Sequence, residues 1–249
     1  MIFFIDGKIG NELIRFILKN YNQDIKTIIS KKINKKFYIL LKKKFPKIKY
    51  FVWKKKSDSK IYKYLKKQDS RLIFLLWWPF ILNKKILALS KFGAINIHPS
   101  YLPYYKGKDP NFWSILNDGP FGVSIHYANK NIDSGPIIYR EKITKFRYSQ
   151  NAIDLYQLAE KKIIDLFKRK YKFLRKAGDI TIKTLKNKPS RINYRINMIK
   201  TSNINLKKRY SGKYIINLLR AKTFPPHEGV IFKEDGKMYS ATIKIKKIT

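Results

Sequence analysis

The sequence predicts an α/β fold: a mostly parallel sheet with helices between its strands, then a small C-terminal extension that ends in a β-hairpin. Three observations predict it. Short apolar runs alternate with amphipathic stretches of helical period over roughly the first 140 residues, the pattern of βαβ units. The apolar runs stop at Asp-Gly, Pro or Ser, which punctuate strands and start helices. After Gly178 the alternation gives way to shorter runs and a final hairpin pattern.

The elements follow in order. Residues 1–5 are wholly apolar and stop at Asp6-Gly7, so they read as a buried strand. Residues 11–21 place Leu13, Ile14, Ile17 and Leu18 on one stripe and read as a helix. Residues 25–29 are a second strand, 37–44 a helix and 49–53 a short strand. Residues 57–67 read as a helix capped by Ser57 or Asp58. Residues 71–77 give the strongest buried-strand signal, and Pro79, which cannot sit in a central strand, turns the chain. As strand neighbours, Trp77 and Trp78 are expected on opposite sides, one in the core and one at a cleft. A short helix at 84–90 leads to a strand at 94–98, stopped by Pro99.

Residues 109–117 read as a helix with Pro110 in its first turn. Residues 121–127 and 136–141 read as strands. Residues 152–176 are a long amphipathic helix carrying Ile153, Leu155, Leu158, Ile163, Ile164, Leu166 and Phe167. Strand-like runs at 180–185 and 191–196 precede a helix at 213–220, and residues 229–248 read as a hairpin turning at Glu234-Asp235-Gly236-Lys237. A boundary near Gly178 divides the chain into domains 1–178 and 179–249.

A chain of 249 residues can bury one sizeable core and a small second lobe. A hydrophobic content of 44% excludes disorder as the class. The absence of cysteine excludes disulfides and thiolate metal sites, and nothing demands an oxidising compartment. No secretory signal is expected, because the apolar start lacks a basic leader and ends after five residues. The apolar run at 72–82 is shorter than the ~18–20 residues of a membrane span. A cytoplasmic protein is therefore expected. The net charge is +40. Lysine is dense at 31–67 and 161–208 and is sparser, offset by acids, between 72 and 154. That excess reads either as solvated helical faces in a Lys-, Ile- and Asn-rich sequence or as attraction of anions such as a nucleotide diphosphate, RNA or acidic lipid.

The chemistry concentrates between Asn96 and Gly135. On a strand, residues two apart face the same side, so Asn96 and His98 point together. In open parallel sheets, sites form beyond the carboxyl ends of the strands, and His98 lies at such an end. An imidazole can take a proton from an attacking amine. A side-chain amide can donate to the oxygen that turns negative when a carbonyl becomes tetrahedral. A carboxylate can orient the imidazole and favour its charged form. Asp133, beside the turn residues Ser134-Gly135, can supply it. Together the three are a minimal kit for acyl transfer to an amine.

The run N-I-H-P-S-Y-L-P-Y-Y-K-G-K-D-P-N-F-W-S-I, then P-F-G-V-S-I-H-Y, then N-I-D-S-G-P-I-I, resembles the formyltransferase superfamily, which takes a formyl unit from N10-formyltetrahydrofolate. The wording is closest to the nucleotide-sugar N-formyltransferases, as are L-L-W-W-P before the site and L-L-R-A-K-T-F-P-P-H-E-G at 218–229. The resemblance implies a Rossmann-like formyltransferase domain and a catalytic trio of Asn96, His98 and Asp133. It implies a folate in a cleft lined by Trp77, Trp78, Pro79, Phe80, Ile81, Leu82, Asn131, Ser134 and Gly135. It implies a sugar nucleotide over Ser100, Tyr101, Tyr104, Tyr105, Lys106 and Asn111, with Lys106 standing where the superfamily often has Arg, so that it supplies charge without a bidentate fork. The acceptor would be an amino-deoxysugar such as dTDP-4-amino-4,6-dideoxyglucose, a dTDP-3-amino sugar or GDP-perosamine, in O-antigen or related glycan synthesis. No metal is expected.

His126, inside a strand, reads as a structural or supporting residue rather than a direct one, and His227, in P-P-H-E-G, reads as a local hydrogen-bonding residue, with contact to the sugar or base as the alternative. Gly7-x-x-Gly10 lacks the acidic partner of a dinucleotide site. The terminal hairpin presents an edge that can pair subunits, so a homodimer is expected. Two other functions compete. One is formylation of methionyl-tRNA, which suits the charge but usually goes with a larger C-terminal barrel. The other is a non-catalytic RNA- or membrane-surface-binding protein. Nucleic acid is not the expected partner while Asn96, His98 and Asp133 are all present.

Overall fold

In the computed structural model, residues 1–249 are described except 33, 55–57, 145–147, 180–181, 189 and 249. Strand β1 (Ile2–Ile5) pairs in parallel with β2 (Thr27–Ser30), and β2 with β3 (Lys49–Val52). On its other side β1 pairs in parallel with β4 (Ile73–Leu76), and β4 with β5 (Ala94–His98). The two-residue β6 (Lys106–Gly107) lies outside this sheet; β7 (Gly122–Ala128) and β8 (Ile137–Lys142) complete the order β3-β2-β1-β4-β5-β7-β8. Helix α1 (Gly7–Tyr21) connects β1 to β2, α2 (Lys35–Lys44) connects β2 to β3, and α3 (Asp58–Lys66) connects β3 to β4. The expected mostly parallel α/β sheet is present.

The chain forms two compact units. One comprises Met1–His98, Ile125–Tyr139 and Ile164–Lys186; the other comprises Pro99–Ser124, Arg140–Ile163 and Asn187–Thr249.

In the first unit both faces of the sheet are covered, so β1 can be apolar throughout. Phe3 and Phe4 point to opposite faces. Phe3 stacks on Phe74 at 5.1 Å, and Phe74 meets Phe167 and Tyr171. Phe4 packs against Trp78 at 5.2 Å, within a buried cluster that includes Ile61 and Leu65 of α3 and also Leu82 and Ile86. Each fully buried side chain of this size contributes about 1.5–3 kcal/mol. Gly10 shows how closely α1 lies on β4: a Cβ there would stand 2.6 Å from the Leu76 carbonyl oxygen. Gly10 therefore lets helix and strand approach, while Gly7 takes a left-handed φ of 59° where α1 begins. Asp24, in a 3-10 turn after α1, accepts hydrogen bonds from Arg175 Nε at 2.6 Å and the Tyr171 hydroxyl at 3.1 Å.

Helix starts follow the side chains. Asn34 accepts from Phe37 N at 3.0 Å to cap α2, and Asn83 accepts from Ile86 N at 2.9 Å to cap α4 (Lys84–Leu87). Ser57, a candidate cap for α3, lies outside the described residues. Helix α5 (Pro110–Leu116) has proline in its first turn, as expected. Helix α6 (Ala152–Leu174) buries Ala152, Leu155, Ala159, Ile163, Phe167, Tyr171 and Leu174, every third or fourth residue.

Four local expectations are corrected. Strand β4 ends at Leu76 rather than Trp77, because Trp77 takes a left-handed conformation with φ 62°. The two tryptophans are therefore not strand neighbours. Residues 191–196 are only briefly a strand: β9 (Ile192–Asn193) pairs with β6, and α7 (Arg195–Thr201) begins at once. The sequence pattern missed α7 because Asn197, a residue type common in turns, closes a capping box by accepting from Tyr194 N. In the run at 180–185, the first two residues lie outside the description and Leu185 forms an isolated bridge to Ile137. Helix α8 (Gly212–Lys222), capped by Ser211, is followed by the expected hairpin, β10 (Val230–Glu234) and β11 (Lys237–Ala241). The hairpin stops at Ala241, short of 248, because its partner strand begins at Val230, which pairs with Ala241. No helix among the described residues is long and apolar enough to cross a membrane.

Candidate active site

The end of β5 carries the site. Along Ala94–His98, Ile95 and Ile97 are buried on one side, while Asn96 and His98 lie on the other. The neighbouring strand β7 brings His126 alongside. The chain then leaves β7 through a tight loop: Asn131 N donates to Asn129 Oδ1 at 2.9 Å and Ser134 Oγ donates to Ile132 O at 2.8 Å. Asp133 holds a left-handed φ of 44°, which Asp tolerates better than most residues. Tyr127 N donates to Pro136 O at 2.9 Å and closes the loop.

These elements bring four side chains together. Asp133 Oδ2 is 3.5 Å from His98 Nε2, and its Oδ1 is 3.6 Å from His126 Nε2. Asn96 Nδ2 is 3.1 Å from His126 Nε2. The side chains of His98, Asp133 and His126 are 10%, 13% and 1% exposed, so the carboxylate acts on two imidazoles in a largely desolvated place, where its charge is felt strongly. At 3.5 Å the His98 contact is an ion-pair distance rather than a full hydrogen bond, and such contacts often tighten only with substrate. Burial pushes the nearby Tyr127 phenol above its usual pKa.

The sequence placed Asn96, His98 and Asp133 together, and the structure brings them together. It also brings in His126, which the sequence reads as structural or supporting rather than direct. The signal was the alternation of β7, which puts His126 on the opposite side from Ile125.

The residues expected at a folate cleft differ in burial. Trp78 is core: it packs on Phe4, on Trp53 at 5.8 Å and on Phe80 at 5.4 Å. Its buried indole nitrogen has no hydrogen-bond partner among the described residues. Leu82 is also buried. Phe80, Ile81 and Asn131 are exposed, and the Lys31 ammonium lies 5.6 Å over the Phe80 ring. Trp77, Pro79 and Ser134 are half-buried, and Gly135 is buried.

The residues expected to hold a sugar nucleotide lie in the second unit. Ser100 is buried; its carbonyl accepts from Ser124 Oγ at 2.7 Å, and its own hydroxyl has no partner among the described residues. Tyr101 lies under the Arg140 guanidinium at 4.4 Å. Tyr104 is exposed, and burial raises the Tyr105 pKa. Lys106 is 2% exposed and donates to Lys188 O at 2.9 Å. Asn111 is buried and donates to Ala152 O at 3.0 Å. Asp109, before α5, pairs with Arg195 at 2.9 Å; burial raises its pKa while Arg195 opposes the rise. Among the described residues no group of three or more His, Cys, Asp or Glu is placed to hold a metal.

A parallel sheet that gathers an amide, two imidazoles and a carboxylate at a strand end has the groups of an acyl-transferring enzyme. The Formyl transferase family model matches residues 17–162, more than half of the chain, and the N-formyltransferase dimerization C-terminal domain matches residues 198–247. The chain belongs to the formyl transferase family. It is 26% identical over 186 residues to a GDP-perosamine N-formyltransferase of Brucella melitensis, covering 74% of this chain and 68% of that one. Its fold is similar to a sugar N-formyltransferase from Shewanella sp. FDAARGOS_354, with a TM-score of 0.76 and 19% identity over 100% of this chain and 98% of that one. It is also similar to an N-formyltransferase from Helicobacter canadensis, solved with folinic acid and dTDP-3-aminofucose, with a TM-score of 0.66 and 20% identity over 94% of this chain and 84% of that one.

Proposed function

We propose that this protein is a sugar N-formyltransferase that moves a formyl group from N10-formyltetrahydrofolate to the amine of a nucleotide-linked amino-deoxysugar. The observation that carries the reading is the His98–Asp133 contact, with Asn96 on the same strand face, in a chain of the formyl transferase family. The names of the Brucella and Helicobacter relatives support a sugar acceptor, and the Helicobacter complex supports a folate donor. The C-terminal dimerization match favours this branch over a formyltransferase for methionyl-tRNA, and supports a homodimer. A catalytic domain at 1–178, a C-terminal lobe at 179–249 and a cytoplasmic setting belong to the same proposal.

His98 takes the proton that the amine sheds as it bonds to the formyl carbon. Asn96 donates to the carbonyl oxygen as negative charge grows there; one such donor contributes on the order of 3 kcal/mol. Asp133 stabilises the imidazolium of His98. That proton then leaves on the departing folate nitrogen, so the chain ends unmodified and no covalent enzyme intermediate is needed. Exposed Ile81, and exposed Phe80 under the Lys31 ammonium, suit a flat heteroaromatic ring with an anionic tail; Trp77, Pro79, Asn131, Ser134 and Gly135 complete the donor side of the proposal, and buried Trp78 and Leu82 support it from the core. Ser100, Tyr101, Tyr104, Tyr105, Lys106 and Asn111 are assigned to the acceptor; of these Tyr104 is exposed, and the Ser100 hydroxyl has no partner among the described residues.

The test is an end-point assay read by mass spectrometry. The protein is given N10-formyltetrahydrofolate with dTDP-, GDP- and UDP-linked amino sugars, and charged initiator tRNA in parallel. A formylated sugar nucleotide that disappears with His98→Ala is expected; formylation of tRNA alone would overturn the reading.

A further inference from the structure

The mechanism proposed above uses His98 and gives His126 no part, yet His126 is the more buried of the two and approaches both Asn96 and Asp133. Its Nδ1 lies 2.8 Å from the Tyr127 carbonyl oxygen, and its Nε2 lies 3.1 Å from Asn96 Nδ2. A carbonyl oxygen can only accept, so Nδ1 carries the hydrogen and donates to it. In a neutral ring Nε2 then holds a lone pair and can only accept. Asn96 Nδ2 is a donor, and 3.1 Å is an ordinary hydrogen-bond length. The next group, Asp133 Oδ1, is an acceptor and stands farther off, at 3.6 Å from the same nitrogen. The two contacts of hydrogen-bond length agree on one tautomer, and Asp133 Oδ1 lies beyond hydrogen-bond reach of Nε2.

We infer that His126, as the neutral Nδ1–H tautomer, is a positioning residue that holds the Asn96 amide in one of its two orientations. An asparagine amide is planar, and a half-turn about its last bond exchanges oxygen for nitrogen. With Nε2 as an acceptor, that half-turn would set Oδ1 against a ring lone pair. The amide therefore keeps Nδ2 toward His126, and the direction of the second Nδ2–H is fixed with the plane. A free amide would present its oxygen to the reacting carbonyl part of the time, where it repels the charge that develops. The inference rests on the proposed role of Asn96 as oxyanion donor. It accounts for a buried histidine beside that donor, at a place where a simple apolar residue would fill the core equally well.

Two measurements test it. Long-range proton–nitrogen correlation spectra of the 15N-labelled wild-type protein at neutral pH read the tautomer directly. The expected result is a protonated Nδ1 and an unprotonated Nε2 for His126; an Nε2–H or doubly protonated ring overturns the inference, whatever the enzyme acts on. In kinetics, His126→Leu removes the acceptor and His126→Gln keeps one. The leucine variant is expected to lose about ten-fold or more in kcat, with KM for both substrates little changed, because an interaction made in the transition state is lost. The glutamine variant is expected to recover part of that loss. Equal activity of the two variants per folded molecule overturns the inference. Lack of any sugar formylation by the wild type would instead overturn the proposed function, and the spectra would still decide the tautomer.

Discussion

Gly135 lies directly against the carbonyl of Tyr127: a Cβ on Gly135 would fall far inside van der Waals contact with the Tyr127 oxygen. The contact is backbone against backbone, so no flexible side chain can yield. It ties the loop that carries Asp133 to the strand that carries His126. Gly135→Ala should displace Asp133 and lower kcat at least about ten-fold, since small misplacements of reacting groups are costly. Ser134→Ala removes only the local bond to Ile132 O and should cost far less. Wild-type kcat in the Gly135 variant would show that the loop position does not matter.

Asp133 faces two imidazoles with its two oxygens. Asp133→Asn keeps the shape and removes the charge that stabilises a protonated His98. Turnover should fall about 10²- to 10⁴-fold, the range over which a positioned acid–base pair contributes, while thermal unfolding stays near wild type. His98→Ala should do the same. Near-wild-type turnover in either variant, measured as formyl product per minute, would remove these residues from the mechanism.

Lys106 separates two roles. The family resemblance assigns it to the diphosphate, but its ammonium is buried and donates to the Lys188 carbonyl. Lys106→Met should therefore act chiefly on stability, by about 1.5–3 kcal/mol for a charged hydrogen bond, seen as a lower denaturant midpoint. A KM for the sugar nucleotide raised more than about ten-fold at unchanged stability would restore the diphosphate role.

The extent to which the sequence disclosed this molecule differs by region for physical reasons. The central strands were legible because both sheet faces are covered, so β1 and β4 are unbroken apolar runs. Asn96 and His98 were legible because alternation on a short strand leaves no freedom in which residues share a side. Asp133 was legible through the Ser134-Gly135 turn beside it and the family motif. Helix α7 was not, because its N-terminus depends on a reciprocal bond between Tyr194 and Asn197 rather than on a long apolar stripe. The bend at Trp77 was missed because a left-handed conformation is rare for a bulky residue and has no sequence signal. His126 was visible as a strand residue, but its value lies in a neighbour, Asn96, thirty positions away.

Asp24 provides a test of the first unit apart from the chemistry. Its buried carboxylate accepts from both Arg175 and Tyr171. Asp24→Ala would leave the half-buried Arg175 charge without its carboxylate, and loss of a hydrogen bond to a charged group typically destabilises by about 1.5–3 kcal/mol. A loss under about 1 kcal/mol in urea unfolding would show that the pair is effectively solvated.

Tyr171 makes the same cluster sensitive to alkali. Burial first, then the Asp24 carboxylate, pushes its phenol well above the usual value of 10.0. The folded chain therefore keeps the proton while the unfolded chain loses it near pH 10, so deprotonation favours the unfolded state. The contribution is fully present below pH 10 and is lost as pH rises beyond it, at up to about 1.4 kcal/mol per pH unit for a single group. Urea midpoints measured from pH 8 to 11 should fall above pH 10 more steeply for the wild type than for Tyr171→Phe, which cannot ionise. The phenylalanine variant starts lower because it lacks the bond to Asp24, so the slope and not the starting value decides. Parallel curves for the two proteins above pH 10 would mean that the phenol reaches solvent in the folded state.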